Sequence, residues 1–345
     1  MGIKNILLIA PDVGGFYKDV INELIRQGYN VDYIWDRIYP EDPDFVHSPY
    51  FNQVEKYKKK FLIKLKEEWE ILLSKSEYSK AYDILFVIDG KMIHPYLFDT
   101  LKKRNPNIKS INYLFDTTRG NYRFNINFKF FDKVVTYDQQ DAKEFGIDMM
   151  PIPWTESKKT ETISLSFFAL GAYNPSRYDI FSFIDKISKE NDLSSYVKLY
   201  VQKRKLFLLQ YFINTFILRR SFINPHIYYN KVVVHKFLPK EEFSRMMMES
   251  EVIVDSIAPS QDGLTARFTW ALGAEKKIIT NNKSVRTYDF YTPEQIYVIE
   301  DFSSKTEQEV LYFLNNRYIM TSDVRQKIAT FRMDNWINNL LFTHQ

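Results

Sequence analysis

Cysteine is absent from this 345-residue chain, which excludes disulfides, thiolate metal sites, iron–sulfur clusters and a cysteine nucleophile together. Any chemistry has to use oxygen and nitrogen groups. Glycine is scarce too: there are 10, where usage of about 7% would supply more than twice that number. Collagen-like, glycine-loop-rich and low-complexity classes therefore drop out. A strong charge excess is also missing. Lys and Arg total 47 against 43 Asp and Glu, a net +4, which permits acidic partners but does not point to nucleic acid. The five histidines, His47, His94, His226, His235 and His344, show no H-x-x-H or H-E-x-x-H spacing, so no metal is expected. No G-x-S-x-G elbow occurs either.

What is abundant is aromatic: 28 Phe, 24 Tyr and 5 Trp. With 45% apolar and 26% charged residues the chain has a globular composition, and its length suits two ordinary domains. The short run Ile6–Ala10 follows one basic residue, Lys4, and is broken by Pro11-Asp12. It reads as a first strand in a cytoplasmic protein, not as a leader.

Strand-like and helix-like runs alternate through the first half, the pattern of a parallel sheet covered by helices. Strands are expected at Ile3–Ala10, Tyr29–Trp35, Asp83–Ile88, Lys109–Phe115 and Lys133–Tyr137, and helices at Phe16–Gln27, His94–Arg104 and Gln139–Phe145. A longer helix over Phe51–Ser76 places Phe61, Leu62, Leu65, Trp69, Leu72 and Leu73 at three- and four-residue spacing. Residues 1–150 form the first domain. Pro151-Ile152-Pro153-Trp154 opens a Pro-then-polar linker over 151–162. The alternation then restarts for a second domain over 163–320, and a helix at Ser322–Leu341 closes the chain. That segment, 321–345, is expected to pack back toward the first domain.

Ligands of open parallel sheets bind in the loops after the strands. After the first strand, Asp12 precedes Gly14 and Gly15, which would let backbone amides approach an anion; a tight turn explains them equally well. Asp89 and Asp116 each follow a strand, where a catalytic base would sit or an Asp would cap the next element. The densest set is Asp255-Ser256-Ile257-Ala258-Pro259-Ser260-Gln261-Asp262-Gly263-Leu264-Thr265-Ala266-Arg267. There a hydroxyl and a guanidinium share the first turn of a helix and suit phosphate. The alternative is that Arg267 pairs with Asp262 or Asp255.

The run Asp255–Asn282, followed by YDFYTPEQIYVIED over Tyr288–Asp301, resembles bacterial glycosyltransferases of lipopolysaccharide and capsule loci, relatives of the CgeB-like spore-coat proteins. Asn112–Thr117, Phe131–Asp141 and Gly171–Tyr178 resemble further stretches of that family in the same order. The resemblance implies the α/β GT-B architecture, two Rossmann-like domains facing across a cleft. It implies an inverting, metal-independent transfer of sugar from a nucleotide-sugar to a glycan or lipid-linked glycan acceptor, with no cofactor and no nucleic acid. Gly171, Arg177, Gln261, Gly263, Leu264, Thr265 and Arg267 would surround the donor; Gly14, Gly15, Asp89 and Arg119 would face the acceptor; Asp116, then Asp12, would be the general base. Where the family carries an acidic residue this chain has Trp270, which favours the alternative of a non-catalytic glycan- or nucleotide-binding protein; the CgeB-like resemblance also implies the alternative of a coat-assembly protein.

Leu206–Leu218, LFLLQYFINTFIL, is flanked by Lys203-Arg204-Lys205 and Arg219-Arg220. It is shorter than the roughly 20 residues that cross a membrane. Its apolar character nearly all round suits either burial or peripheral contact with the cytoplasmic face of an inner membrane.

Overall fold

The first apolar run forms β1, Asn5–Ala10, in which every residue after Asn5 is buried. Burial on both faces is what a central strand of a parallel sheet requires. The computed structural model describes residues 4–12, 15–36, 55–119, 126–155, 162–236, 238–259 and 261–342. The chain divides into two units, Met1–Ile152 with Met333–Gln345 and Pro153–Arg332. Each is a Rossmann-like parallel sheet with helices between successive strands.

In the first unit β2 (Asn30–Trp35), β3 (Ile84–Ile88), β4 (Lys109–Leu114), β5 (Lys133–Thr136) and β6 (Asp148–Met149) complete a sheet of order β2-β1-β3-β4-β5-β6. All pairings are parallel, with Leu8 level with Tyr33 and Phe86. The long charged helix is described from Glu55 to Ser74; positions 51–54 of the expected span lie outside the described residues. Phe61, Leu65, Trp69 and Leu73 are buried in the core while Leu62 and Leu72 flank it, as the helical spacing requires. The Trp69 indole N–H donates to the Met92 carbonyl (2.8 Å), tying this helix to the loop after β3.

In the second unit β7 (Leu165–Ala172), β8 (Ser195–Tyr200), β9 (Val233–Val234), β10 (Ser250–Val254), β11 (Lys277–Thr280) and β12 (Ile296–Val298) pair in the order β12-β11-β10-β7-β8-β9. Helices Pro175–Glu190 and Ala266–Gly273 follow β7 and β10. Asn174 and Thr265 cap them by accepting the Arg177 and Phe268 amides at 2.8 and 3.2 Å, the positions where Asn and Thr replace a missing helical partner.

Two expectations change. The closing helix is two helices, Ser322–Ala329 and Met333–Phe342. Between them Phe331 accepts the Trp154 amide (3.2 Å) and Arg332 bridges to Trp154; Trp154 also donates its indole N–H to Ile328 (2.9 Å). Only the second helix belongs to the first unit, where Trp336 packs against Phe16, Phe86 and Tyr113. The other change is at Leu206–Leu218. Phe207 alone in it is buried among the large apolar side chains, while Leu206, Leu208, Leu209, Phe212, Phe216 and Ile217 are each more than half exposed, so a core helix is the wrong reading. Among the described residues no helix is long and apolar enough to cross a membrane.

Candidate functional site

In the second unit the strand order reverses between β7 and β10, the position at which open parallel sheets take ligands. Gly171 near the end of β7, Arg177 in the first turn of the next helix, and Asp255, Thr265 and Arg267 after β10 come together at this point. A Cβ on Gly171 would lie 2.7 Å from Nη2 of Arg267 and 2.9 Å from Cδ of Arg177. Glycine is therefore what lets both guanidinium groups reach the strand end.

Asp255 is the shared anchor. Its Oδ1 accepts from the Thr265 hydroxyl (2.7 Å) and from Nη1 of Arg267 (3.0 Å). The Asp255 carboxylate is 1% exposed and the Arg267 side chain 11%, so this ion pair is close to fully desolvated. Arg177 donates to the carbonyls of Ala172 and Ser256, the latter at 2.9 Å. Burial first, and then the neighbouring Arg267 charge, lower Arg177 to about 10, still charged at neutral pH. Burial likewise lowers Arg267. Two cations thus share one carboxylate, and Nε of Arg177, Nε of Arg267 and Oδ2 of Asp255 are buried without a hydrogen-bond partner. Unsatisfied buried atoms are rare and costly, at about 1–3 kcal/mol each. The two unpaired guanidinium N–H groups and the surplus positive charge suit an anion, whereas the unpaired Oδ2 of Asp255 suits a donor.

The other expected donor residues have structural work in this cluster. Thr265 spends its hydroxyl on the cap and on Asp255. Gln261 closes a turn with Ala258, donating its amide to the Ala258 carbonyl (3.0 Å) and accepting the Ala258 amide at 3.4 Å. The Gly263 carbonyl accepts from Asn282 Nδ2 (3.1 Å), and Leu264 is buried beneath the loop. Trp270 lies edge-on to Phe243, with ring centroids 6.2 Å apart, as a packing side chain.

The first unit reverses its strand order between β1 and β3. Gly15 starts helix Phe16–Arg26 at φ +78° and donates its amide to Asp12 Oδ1 (3.2 Å); Gly14 lies outside the described residues. Asp89 is buried, at φ +64°, and Oδ1 accepts the Phe115 and Asp116 amides at 2.8 and 3.0 Å. Burial pushes it up to about 7 against the pull of Lys91, with Asp36 and Asp116 adding to the rise. Asp36, which the sequence reading missed, accepts the amides of Gly90, Lys91 and Met92 at 3.0, 2.9 and 3.2 Å, and burial raises it to about 6. It directly follows a strand, the same signal that singled out Asp89 and Asp116. Asp116 is half-buried, its side chain 42% accessible, with Oδ2 3.7 Å from the Lys91 ammonium. Arg119 turns instead to two buried carboxylates, Asp138 (2.6 Å) and Asp141 (2.7 Å). Among the described residues no group of three His, Asp or Glu could hold a metal ion.

No family model matches the chain, and no curated protein matches it. Solved structures similar to it include a protein assigned as a UDP-N-acetylglucosamine 2-epimerase from Listeria monocytogenes (9% identity, TM-score 0.48, 98% of this chain and 94% of that one). Another is CalG4, the calicheamicin glycosyltransferase (11%, 0.46, 98% and 95%). A third is MurG of Acinetobacter baumannii (10%, 0.46, 98% and 99%). At such identities no residue of this chain inherits a role from them.

Proposed function

We propose that the chain is a glycosyltransferase of the GT-B kind that moves a sugar from a nucleotide-sugar to a surface-polysaccharide acceptor of the lipopolysaccharide or capsule type, with inversion and without a metal. The observation that carries this reading is the Arg177–Arg267–Asp255 cluster at the strand-order reversal of the second unit, supported by the sequence resemblance. An acceptor carried on lipid would bring the enzyme to the cytoplasmic face of an inner membrane.

In the proposed step an acceptor hydroxyl oxygen bonds to the anomeric carbon as the bond from that carbon to the diphosphate oxygen breaks. Negative charge grows on the leaving diphosphate, and Arg177, held by the Ala172 and Ser256 carbonyls, and Arg267, held by Asp255, meet it without reorganising. Thr265, Gln261, Gly263 and Leu264 hold the loop that positions Arg267, and Gly171 leaves the space. The hydroxyl proton passes to a carboxylate of the first unit. Asp116 suits this role best because it is solvent-reached and its Oδ1 is fixed by the Thr117 amide (2.9 Å); Asp12 comes second. Asp89 and Arg119 position the loops that carry the acceptor side.

A thermal-shift panel of UDP-, GDP-, TDP- and CMP-sugars tests the donor site. A ligand at 100 times its Kd adds about 2.7 kcal/mol, a rise of several degrees for a unit of this size. Arg177→Ala and Arg267→Ala should each remove the rise. No shift from any donor, together with unchanged activity in Arg267→Ala, would sink the assignment. Binding without sugar transfer or donor hydrolysis, or turnover that survives Asp116→Ala and Asp12→Ala together, would instead refute the catalytic roles.

A further inference from the structure

Between Asp192 and Glu241 the sequence carries nine Lys or Arg and no acidic residue, in a chain of net charge +4. The remainder of the sequence is thus net acidic. Within the basic stretch helix Phe207–Phe212 runs into a wider π turn, Ile213–Ile217, in which the Leu218 amide reaches back to the Ile213 carbonyl (2.9 Å). The helix is seated by Phe207, stacked on Tyr228 at 3.6 Å between ring centroids, in a small cluster with Val201, Tyr211 and Phe222. Everything apolar on the other side faces solvent: Leu206, Leu208, Leu209, Phe212, Phe216 and Ile217 are each more than half exposed. Exposed basic residues border both ends, Lys203, Arg204 and Lys205 before and Arg219 and Arg220 after.

We propose that this platform docks on an anionic bilayer surface. Exposed contiguous apolar surface of this kind marks an interaction site, and the character of the rim selects the partner. The six side chains offer neither donor nor acceptor, whereas protein-binding patches draw on Tyr, Trp and Arg with directed hydrogen bonds. A helix of about eleven residues is roughly 16 Å long, too short to cross but suited to lying in the headgroup layer with its apolar side down. Lys and Arg at its ends then lie level with lipid phosphates, their stems along the apolar surface. The one-sided charge of the segment complements phosphatidylglycerol-type headgroups. The inference rests on the proposed function only for the choice of an inner-membrane lipid; its test needs no sugar donor, so either can fail alone.

The full chain is sedimented with sucrose-loaded vesicles of phosphatidylcholine alone and of phosphatidylcholine mixed with phosphatidylglycerol, at low and high salt. Binding should be about tenfold or more tighter on the anionic vesicles and fall as salt screens the rim. Leu209→Ser/Phe212→Ser/Phe216→Ser and, separately, Lys203→Gln/Lys205→Gln/Arg219→Gln should each weaken it about tenfold, with melting temperatures unchanged because these side chains are exposed. In a Leu209→Trp variant the emission should shift to the blue on anionic vesicles and be quenched by brominated lipid. Equal affinity for neutral and anionic vesicles, no binding, or full binding by both variant sets overturns the proposal. So does self-association in sedimentation velocity that the apolar variant abolishes while no vesicle binding occurs, since a second copy would then cover the platform.

Discussion

Asp255 decides the state of two arginines. Removing one partner of a desolvated ion pair costs about 3–5 kcal/mol, and Asp255→Asn should destabilise the second unit on that scale while leaving Arg177 and Arg267 unbalanced. Inorganic phosphate or a nucleotide should then recover more melting temperature in the variant than in the native chain. Equal shifts in both would mean that the cluster is not an anion site. Asp89 offers a different residue-scale test. Burial lifts its carboxyl to about 7, whereas an unfolded chain titrates it near 3.9, so the folded state holds the proton more tightly. The stability this group contributes is complete below about pH 4 and is lost as the pH rises through about 7. Asn keeps an oxygen for the Phe115 and Asp116 amides, so Asp89→Asn should flatten the decline in urea stability over that window. An unchanged slope would show that another group sets it.

At the scale of elements, Gly273 closes helix Ala266–Gly273 where the Trp154 ring covers it. A Cβ there would lie 2.3 Å from Cε3 of Trp154. Gly273→Ala should therefore cost about 1–3 kcal/mol by overpacking and Trp154→Ala about 3–5 kcal/mol by loss of its buried ring. The double variant should cost clearly less than the two together, because removing the ring makes room for the methyl; strict additivity in urea melts would show that the contact is not what limits Gly273. The same Trp154 meets the broken terminal helix. The apolar spacing of Ser322–Leu341 reads as one helix, and the pairing of Phe331 and Arg332 with a residue far away in sequence sits at the break.

The molecule as a whole is discontinuous in sequence. The chain leaves the first unit after Ile152 and returns to it at Met333, bringing Trp336, Ile337, Leu340 and Leu341 into its core. Burial of such side chains contributes about 1.5–3 kcal/mol each, a sum comparable with the 5–15 kcal/mol that holds a domain folded. A chain ending at Arg332 should lose the cooperative transition of the first unit in calorimetry and keep that of the second. Two intact transitions in the truncated protein would show that the first unit folds without its terminal helix.

Much of this was legible in the residues. Apolar runs of five, Ile6–Ala10 and Ile84–Ile88, located β1 and β3, because burial on both faces of a parallel strand leaves little choice of side chain. The missing cysteine limited the chemistry to oxygen and nitrogen groups, and carboxylates at strand ends marked the loops that matter. Only the tertiary structure showed which of those groups are spent. Thr265 and Arg119 look alike in sequence to free ligands, yet one caps a helix and the other joins two buried carboxylates, while Arg177 and Arg267, 90 positions apart, converge at one glycine. It also turned Leu206–Leu218 outward. A helix that is apolar on all sides does not specify which side faces solvent; that depends on the few rings, Phe207 and Tyr228 foremost, that seat it.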